Sequence, residues 1–489
     1  MKMTEFCLLM PELILIFGAL VLLPFGAFFA KNDSSRVLLP SLFVLAISAL
    51  SICLIDKSKE VSAVTLLNDF LIVNGYIIFA KYIIIISAFL VSIMYLPWAR
   101  SKEYAMPFEI PILILLSTVG ASFLVAANNL LSLYLALELM SLSLYVMVAI
   151  QRNNPLSAEA GLKYFILGAL SSGLFLFGTS LIYGMVGSIN FSVISEYYYS
   201  MAITYEAGVM PLAFVLGMLM VLIAFFFKLS AAPFHMWAPD VYQGAPTAVT
   251  AYLATVPKLA TILLLMRLLF KVFASFSISL QPILYIVCVA SLFVGSLGAI
   301  MQTNIKRLLA YSSIGHIGFA LIGVVSGHMS GVKAVLLYMI IYLIMTLGVF
   351  ACLLLLNNKS SDYESTYDLA GLSHEHPYLA AAISILMFSM AGIPPLAGFF
   401  AKFYVLYAAI QEDLIWLAVF GVIASVIAAF YYINLVKIIY FDEVKKEISF
   451  NNCYYLNAMI LLASAFNLLF IAFPTKFLLL AEISASWLI

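Results

Sequence analysis

The feature that most constrains the fold of this sequence is a series of long apolar segments that recurs along its whole length. Many of these segments run for about 18 residues or more, which is long enough for a helix to cross the hydrocarbon core of a membrane. Apolar residues make up 65% of the sequence and charged residues only 9%, whereas an average soluble domain has about 25% charged residues. A soluble fold could not bury so much apolar surface, so we predict an all-α polytopic membrane protein.

Hydropathy divides the chain into about fourteen transmembrane helices with no linker long enough to hold a soluble domain. We predict a single transmembrane domain over residues 1–489, with helices 1–3 in 1–106, helices 4–8 in 107–270, helices 9–13 in 277–441 and helix 14 in 454–480.

Two of the predicted helices are interrupted by prolines. Helix seven contains Pro233 and Pro239, and helix twelve contains the sequence GIPPLAG at 392–398. Proline removes a backbone donor, and such a break within a membrane is tolerated only where protein or water satisfies the freed groups. The two breaks are five helices apart, and a tandem repeat with an odd number of helices must be inverted. We therefore predict two inverted five-helix repeats with broken helices seven and twelve, an arrangement typical of ion-translocating proteins.

The distribution of lysine and arginine between the loops predicts the orientation, because basic residues are enriched on the cytoplasmic side of a membrane. Loops that follow odd-numbered helices carry roughly twice as many basic residues as the other loops. An even number of helices places both termini on one side, which we predict to be the outside. The basic residues behind this bias lie at 31–36, 100–102, Arg152, Lys163, Lys306, Arg307, Lys359, Lys445 and Lys446.

Composition and motifs argue against several function classes. The formal net charge is +0, so nothing indicates a nucleic-acid partner. The five cysteines are scattered without a CxxC pair, which disfavours disulfides, zinc and iron–sulfur ligation. The sequence has no glycine-rich dinucleotide loop, P-loop or HExxH motif. We expect no cofactor and no metal to be bound by this chain itself.

Four ionisable residues lie well inside predicted helices: Glu138, Lys228, Lys258 and Lys402. Lys258 is about eleven residues into helix eight, or ~17 Å at the helical rise, near the membrane midplane. A charge at that depth costs at least ~2.5–3.5 kcal/mol. Each residue alone has a structural alternative, since it could only join helices. Four such residues beside two broken helices favour proton transfer, because burial disfavours the charged form of a lysine and a nearby carboxylate favours it.

Other polar residues near the breaks have weaker signals. His235, His316 and Tyr311 are possible members of a proton relay, since histidine can shuttle protons near neutral pH. A hydrogen-bonded histidine that only packs between helices is an equally good interpretation. Lys81 and Arg267 lie near helix ends, and we expect both side chains to reach the membrane interface.

Three long segments of the sequence resemble a known family. They are APFHMWAPDVYQGAPTAVTAYLATVPK at 232–258, NIKRLLAYSSIGHIG at 304–318 and SMAGIPPLAGFFAKFYVL at 389–406. They are similar to the antiporter-like membrane subunits of respiratory complex I, and the resemblance extends over nearly the whole chain. It implies fourteen helices, two inverted five-helix repeats and broken helices seven and twelve.

The resemblance also implies roles for the buried charges. Glu138 and Lys228 match the charged pair of the family, and Lys258 matches its central proton-carrying lysine. Lys402 matches the residue at the outward-leading end of the proton path.

The function implied is that of a proton-translocating membrane-arm subunit of NADH:quinone oxidoreductase in the cell inner membrane. NADH, FMN, iron–sulfur clusters and quinone are then expected in partner subunits, and the neighbours are expected to be other membrane-arm subunits, including antiporter-like ones. The alternative is a subunit of a multi-subunit cation/proton antiporter or a related membrane-bound hydrogenase. A purely structural membrane scaffold is disfavoured by the buried charges.

Overall fold

The structure is a computed structural model of the chain, and it confirms an all-α polytopic membrane protein. Among the residues it describes, 13 helices are long and apolar enough to cross a membrane, and Pro377–Ala391 is a shorter apolar helix. The described residues are 3–30, 34–56, 63–99, 107–151, 153–204, 211–274, 277–356, 365–443 and 453–488.

The N-terminal helices form a unit at the periphery, in which the second and third helices pack against each other. A short antiparallel hairpin leads into the fourth helix, with Val64 paired to Val73. Its strands are β1 (Val64–Leu66) and β2 (Leu71–Val73). The helices of this unit are α1 (Met3–Leu8), α2 (Met10–Phe29), α3 (Ser35–Asp56), α4 (Gly75–Met94) and α5 (Leu96–Ala99).

The next group of helices begins with a tight helical hairpin. Asn129 caps the second helix of this group, because its side chain accepts from the backbone N–H of Ser132, and the Ser132 side chain in turn accepts from the Asn129 backbone. The helices are α6 (Glu109–Ala126), α7 (Leu130–Val148), α8 (Pro155–Val186), α9 (Phe191–Thr204), α10 (Leu212–Leu229), α11 (Trp237–Gly244) and α12 (Thr247–Arg267).

The remaining helices follow a similar order. Asn304 caps the second helix of this group by accepting from the backbone N–H groups of Lys306 and Arg307. The helices are α13 (Ser277–Ile300), α14 (Ile305–Val325), α15 (Met329–Leu356), α16 (Leu372–Glu375), α17 (Pro377–Ala391), α18 (Ala397–Gln411), α19 (Ile415–Phe441), α20 (Tyr454–Leu469) and α21 (Pro474–Ala485).

The centre of the molecule is α12, whose 21 residues are all buried. The helices α4, α6, α10 and α15 pack around it. Small residues bring other helices close, since a Cβ on Gly295 of α13 would lie 2.3 Å from the backbone nitrogen of Gly315 in α14. Large apolar side chains such as Phe28 and Phe441 are 80% exposed at the periphery, as expected for surfaces that face lipid or other membrane subunits.

The helices are interrupted at both proline motifs. α10 ends at Leu229 and α11 begins at Trp237, while α17 ends at Ala391 and α18 begins at Ala397. The inverted five-helix repeats stay a prediction.

The orientation also stays a prediction. Most of the basic loop residues on which it depends lie outside the described residues, including Lys31, Arg100, Arg152, Lys359 and Lys445.

Candidate functional site

Five of the predicted site residues follow one another through the centre of the molecule, four of them buried and Glu138 partly buried. The three lysines are 0–6% exposed and the histidine is 5% exposed. We call these residues, with the hydroxyl groups between them, the polar row. Its members, in order, are Glu138, Lys228, Lys258, His316 and Lys402.

The first part of the polar row lies between α7, α8 and α10. The Glu138 carboxylate on α7 accepts a short hydrogen bond from the Ser172 hydroxyl on α8. The Lys228 ammonium, in the last turn of α10, donates to Ser141 Oγ at 2.8 Å and to Tyr145 Oη at 3.2 Å. Both of these acceptors belong to α7, so Lys228 is held against the helix that carries the glutamate.

Glu138 and Lys228 form no direct ion pair in the described part of the chain. Ser141, one helical turn beyond Glu138 on α7, takes the ammonium instead. The carboxylate instead accepts from Ser172 on α8, so the two charged groups have different hydroxyl partners. Their function as a switchable pair stays a prediction.

The backbone groups freed by the break after α10 are satisfied by protein. Ser230 ends α10 with a left-handed φ of 56°. Trp237 Nε1, at the start of α11, donates to the carbonyl of Phe227 at 2.9 Å. The Ala232 N–H donates to Ser291 Oγ on α13 at 2.9 Å. The break is therefore a fixed feature of the fold, because its polar groups have partners on two other helices.

Lys258 lies at the middle of the polar row and is 0% exposed. Its ammonium donates to Ser230 Oγ at 3.0 Å and to Ser313 Oγ at 2.7 Å. It also lies 5.5 Å from the ring centroid of Tyr242. Ser230 is two residues after Lys228 in the chain, and Ser313 places the other partner of Lys258 on α14.

A network of hydroxyl and imidazole groups follows on α14. The Ser312 and Tyr432 hydroxyls share a short hydrogen bond. His316 Nε2 lies 3.2 Å from the Tyr432 hydroxyl, and His316 Nδ1 lies 2.7 Å from the Tyr338 hydroxyl. Both nitrogens of the imidazole therefore contact groups that can either donate or accept a proton.

Two small cavities fill the gaps in this network. Each has a volume of about 10 Å³, roughly the space required for the centre of one water molecule. The polar residues around the first are Ser312, Ser313, Tyr342 and Thr346. The polar residues around the second are Ser296, Ser312, His316, Lys402, Tyr431 and Tyr432. One water in each would connect the neighbours of Lys258 to Lys402.

Lys402 ends the polar row at the second helix break. Its ammonium donates to the carbonyl of Ala391 at 2.8 Å and to Ser425 Oγ at 2.9 Å, and it lies 4.8 Å from the ring centroid of Phe319. Ala391 is the last residue of α17, so the lysine satisfies a carbonyl that the break leaves free. Gly392 follows with a φ of 87°, and a Cβ there would lie 2.9 Å from Lys402 Cδ. Only glycine allows this turn so close to the lysine.

Two of the predicted relay residues lie apart from the row. The rings of His235 and Tyr311 are 6.4 Å apart, and neither side chain forms a hydrogen bond to the polar row in the described part of the chain. Tyr311 packs on α13, where a Cβ on Gly298 would lie 2.5 Å from its ring.

The expectation that Lys81 and Arg267 reach the membrane interface is wrong. Lys81 is 2% exposed and its ammonium lies 2.7 Å from the Glu12 carboxylate. Arg267 is 5% exposed and donates to the carbonyls of Val125 at 3.1 Å and Ala127 at 2.6 Å. Lys81 has its partner inside the N-terminal unit, and Arg267 has its partners at the C-terminal end of α6. Neither side chain therefore needs to reach water.

An ion cluster at one membrane face joins three helices near the first break. The Asp240 carboxylate on α11 lies 2.7 Å from Lys163 Nζ on α8 and 2.5 Å from an Arg307 nitrogen on α14. We call these three residues the Asp240 cluster. It fixes α11, which follows the first break, to helices of both predicted repeats.

Sequence reasoning missed the hydroxyl groups of the polar row and the partner of Lys81. The missed hydroxyls are on Ser141, Ser172, Ser230, Ser312 and Ser313. A usable signal was present for Ser230, which follows Lys228 at the proline break, and for the Ser312–Ser313 pair just before His316. Serine is otherwise too common in membrane helices to mark a site.

Comparisons with known proteins agree with the motifs. A sequence-family model described as NADH:quinone oxidoreductase/Mrp antiporter, TM, matches residues 127–428, which is more than half of the chain. The NADH-quinone oxidoreductase subunit N of Parvibaculum lavamentivorans is 43% identical over 478 residues, which cover 98% of this chain and 96% of the relative.

Solved structures extend the similarity to three dimensions. A chain of respiratory complex I from Thermus thermophilus superposes with a TM-score of 0.80 at 28% identity, covering 96% of this chain and 99% of that chain. A chain of the Mrp complex from Dietzia sp. superposes with a TM-score of 0.84 at 20% identity, covering 98% of this chain and 97% of that chain. The second likeness shows a shared fold and nothing more.

Proposed function

The chain belongs to the NADH:quinone oxidoreductase/Mrp antiporter transmembrane family, and from that premise we propose that its polar row carries protons across the membrane. The chain is an integral, multi-pass, membrane-arm subunit of NADH:quinone oxidoreductase, a proton-pumping translocase. It works among the other membrane-arm subunits of that complex.

The observation that carries the proposed path is the position of Lys258. It is fully buried and donates to two hydroxyl groups, that of Ser230, two residues after Lys228, and that of Ser313, three residues before His316. A hydroxyl can accept a hydrogen bond from an ammonium or donate one to an amine. Lys258 can therefore be satisfied both before and after it releases a proton.

The proton moves in steps along the row. Glu138 and Lys228 load a proton at α7, and Lys258 receives it beside Ser230. Ser313 passes it to the hydroxyl and imidazole groups around His316 through the first small cavity. Lys402 takes it through the second cavity and releases it at the second break. Each lysine that is protonated raises the cost of a second charge nearby, so loading at one end favours release at the other.

The redox chemistry belongs to partner subunits in this proposal. The described residues contain no group of three or more histidine, cysteine, aspartate or glutamate side chains that could hold a metal. NADH, FMN, iron–sulfur clusters and quinone are assigned to other subunits, and their reaction supplies the energy for proton movement in this one.

The location and orientation complete the proposal. We place the chain in the cell inner membrane with both termini outside, because the loops that follow odd-numbered helices are the more basic ones and are expected to lie inside. A cysteine introduced at Ser486, near the C-terminus and 3 residues from Ile489, should react with a membrane-impermeant thiol reagent from outside. If the cysteine reacts only after the membrane is permeabilised, the C-terminus lies inside and the proposed orientation is wrong.

A second candidate function is cation/proton antiport without redox chemistry, because the description of the matching family model also includes the Mrp antiporter. The likeness to it is one of fold alone, at 20% identity. Purification with flavin and iron–sulfur partners favours the oxidoreductase, whereas purification with small membrane subunits alone would favour the antiporter.

The proposed path is tested by Lys258→Ala in the assembled complex. We expect NADH-driven proton translocation in proteoliposomes to be strongly reduced or abolished, while the subunit still assembles. Lys333→Ala is the control, because Lys333 is a partly exposed lysine outside the row. Normal proton translocation by an assembled Lys258→Ala complex would reject the path.

A further inference from the structure

A second buried acid–base pair lies outside the polar row, in the N-terminal unit. Glu12 on α2 and Lys81 on α4 are in contact at 2.7 Å, with side chains that are 0% and 3% exposed. The region that matches the family model begins at residue 127, so this pair lies outside it. None of the steps assigned to the polar row uses either residue.

The pair has few of the contacts that stabilise a buried ion pair. Apart from their contact with each other, neither the Glu12 oxygens nor Lys81 Nζ has a hydrogen-bond partner among the described residues. The buried hydroxyl of Ser122 on α6 is also without a partner among them. A buried ion pair recovers its desolvation cost only when its remaining protons and lone pairs are also hydrogen-bonded.

Arg267 shows what a structural cation looks like in the same part of the molecule. Its guanidinium donates to two backbone carbonyls and to the Asn128 side chain. Arginine holds its proton permanently, and this site gives it the acceptors that a permanent charge requires. The site of Lys81 offers an acid as its one contact instead.

The pair lies at about the same depth in the membrane as Lys258. The Tyr76 hydroxyl on α4 donates to the carbonyl of Leu263 on α12 at 2.7 Å, which fixes these two helices against each other. The start of α4 and the end of α12 both lie at the C-terminal end of α6. Lys81 follows Tyr76 by five residues and Lys258 precedes Leu263 by five, so each lies about 7.5 Å further into the membrane.

We propose that Glu12 and Lys81 form a second proton-binding site, in which one exchangeable proton is shared between the two groups and water is their other ligand. Transfer of the proton breaks an N–H bond of the Lys81 ammonium and forms an O–H bond on the Glu12 carboxylate. An amine and a carboxylic acid result, and no further reactant is needed. The neutral pair avoids the desolvation cost of two charges, and the charged pair is stabilised whenever water reaches it.

The site rests on the proposed proton translocation, because its expected effect is on the number of protons moved. It lies between the peripheral α2 and the inner helices α4 and α6. Its proton exchanges with water that enters between these helices, separately from the steps through Lys258.

The decisive variant is Lys81→Arg, which keeps the ion pair but removes the exchangeable proton. We expect the complex to assemble and oxidise NADH, with the ratio of protons translocated to NADH oxidised lowered about twofold or more. Lys333→Arg is the matched control, because Lys333 pairs with Glu482 at 2.6 Å in a partly exposed site. A ratio equal to that of the control would overturn the second site.

A neutral double variant covers the case in which arginine does not fit. Glu12→Gln with Lys81→Met removes both charges and keeps similar side-chain volumes, which a purely structural buried pair should tolerate. We expect it to assemble with the same loss of proton translocation. If it assembles and translocates normally, the pair is structural only.

Infrared difference spectroscopy gives a readout that is independent of turnover. We expect a C=O stretching band of a protonated carboxylic acid that changes with pH and is missing in Glu12→Gln. A spectrum unchanged by Glu12→Gln contradicts the shared proton. Proton translocation by Lys258→Ala, measured alongside, separates the two proposals. If Lys258→Ala loses proton translocation while Lys81→Arg translocates normally, only the second site is rejected.

Discussion

The partners of the buried cations distinguish residues that hold a proton from residues that exchange one. Arg267 is bonded to backbone carbonyls, which only accept hydrogen bonds. Lys402 has one carbonyl and one hydroxyl, and Lys258 has two hydroxyls. A hydroxyl can also donate to the lone pair of a neutral amine, so Lys258 has surroundings suited to both of its protonation states, as does Lys228 with its two hydroxyl partners.

Ser313→Ala tests this argument at the centre of the row. The change removes one of the two hydroxyl partners of Lys258, so we expect proton translocation to fall while assembly is retained. Ser326→Ala is the control, because Ser326 is a buried serine directly after the same helix, and its hydroxyl donates to the carbonyl of Ile322. Equal translocation by the two variants would show that the Lys258–Ser313 bond does not matter for the path.

Lys402→Arg tests whether the last lysine must release a proton. Arginine keeps the charge and can still reach the Ala391 carbonyl, but it does not deprotonate. We expect proton translocation to be lost or strongly reduced, whereas Lys333→Arg, in a partly exposed ion pair, should leave it unchanged. If both variants pump normally, Lys402 supplies only a fixed charge.

For individual residues, the sequence predicts which charged side chains are buried but not which side chains they bond to. Lys228, Lys258 and Lys402 stand out because charged residues are rare within long apolar segments. Ser172 and Ser313 could not be chosen among the many serines, since the register between distant helices is not encoded in local pattern. The same limit explains the wrong expectation for Lys81, whose acid partner Glu12 lies at the start of a different helix.

Among the helices, one of the contacts that hold the first break in place comes from an indole. Trp237 opens α11 and donates to the carbonyl of Phe227 at 2.9 Å, beside the Ser230 N–H at 3.0 Å, while its ring stacks on Tyr164 at 4.6 Å between centroids. The prolines in the sequence predict where the helix ends, because proline cannot continue the hydrogen-bond pattern. They do not indicate which residue satisfies the freed carbonyl.

Trp237→Phe tests the contribution of this hydrogen bond. Phenylalanine keeps the stacked ring but removes one of the two donors to the buried Phe227 carbonyl, since the Ser230 N–H remains at 3.0 Å. The expected cost is that of one lost hydrogen bond, about 0.5–1.5 kcal/mol. We expect a lower thermal stability of the assembled subunit and weaker proton translocation. Trp416→Phe, at a site that is 70% exposed on the periphery, should change neither. Equal melting temperatures for the two variants would argue against a role for the indole N–H.

Over the whole molecule, the two groups of helices have comparable positions that support the predicted repeats. Asn129 caps α7 and forms a β-bridge to Asn190, and Asn304 caps α14 and forms a β-bridge to Ser365, with the same sequence separation in both cases. Glu138 stands at the same distance from its cap as Ser313 does from its own. The hydroxyl bonded to Lys258 thus takes the position that the glutamate has in the first group.

This relation between halves is difficult to predict from sequence, because the halves share little beyond their caps and breaks. The number and order of the helices follow from hydropathy, since the membrane requires one long apolar helix for each crossing. The contacts between halves depend on side chains far apart in the chain, such as Lys258 with Ser313.

The Asp240 cluster is a contact between the two groups of helices, and it is exposed enough to respond to salt. Asp240 on α11 is shared by Lys163 of α8 and Arg307 of α14, at 2.7 and 2.5 Å, and its side chain is 33% exposed.

Asp240→Asn leaves two cations without their common acid, so we expect a lower melting temperature and looser coupling between the two groups of helices. Salt screens partly exposed charges, so the difference from the natural sequence should shrink as ionic strength rises. Glu482→Gln, which breaks a single exposed pair with Lys333, should have little effect at any salt concentration. Melting curves in detergent at low and high salt would decide the matter, and a destabilisation by Asp240→Asn that does not respond to salt would mean that packing, rather than charge, holds α11 in place.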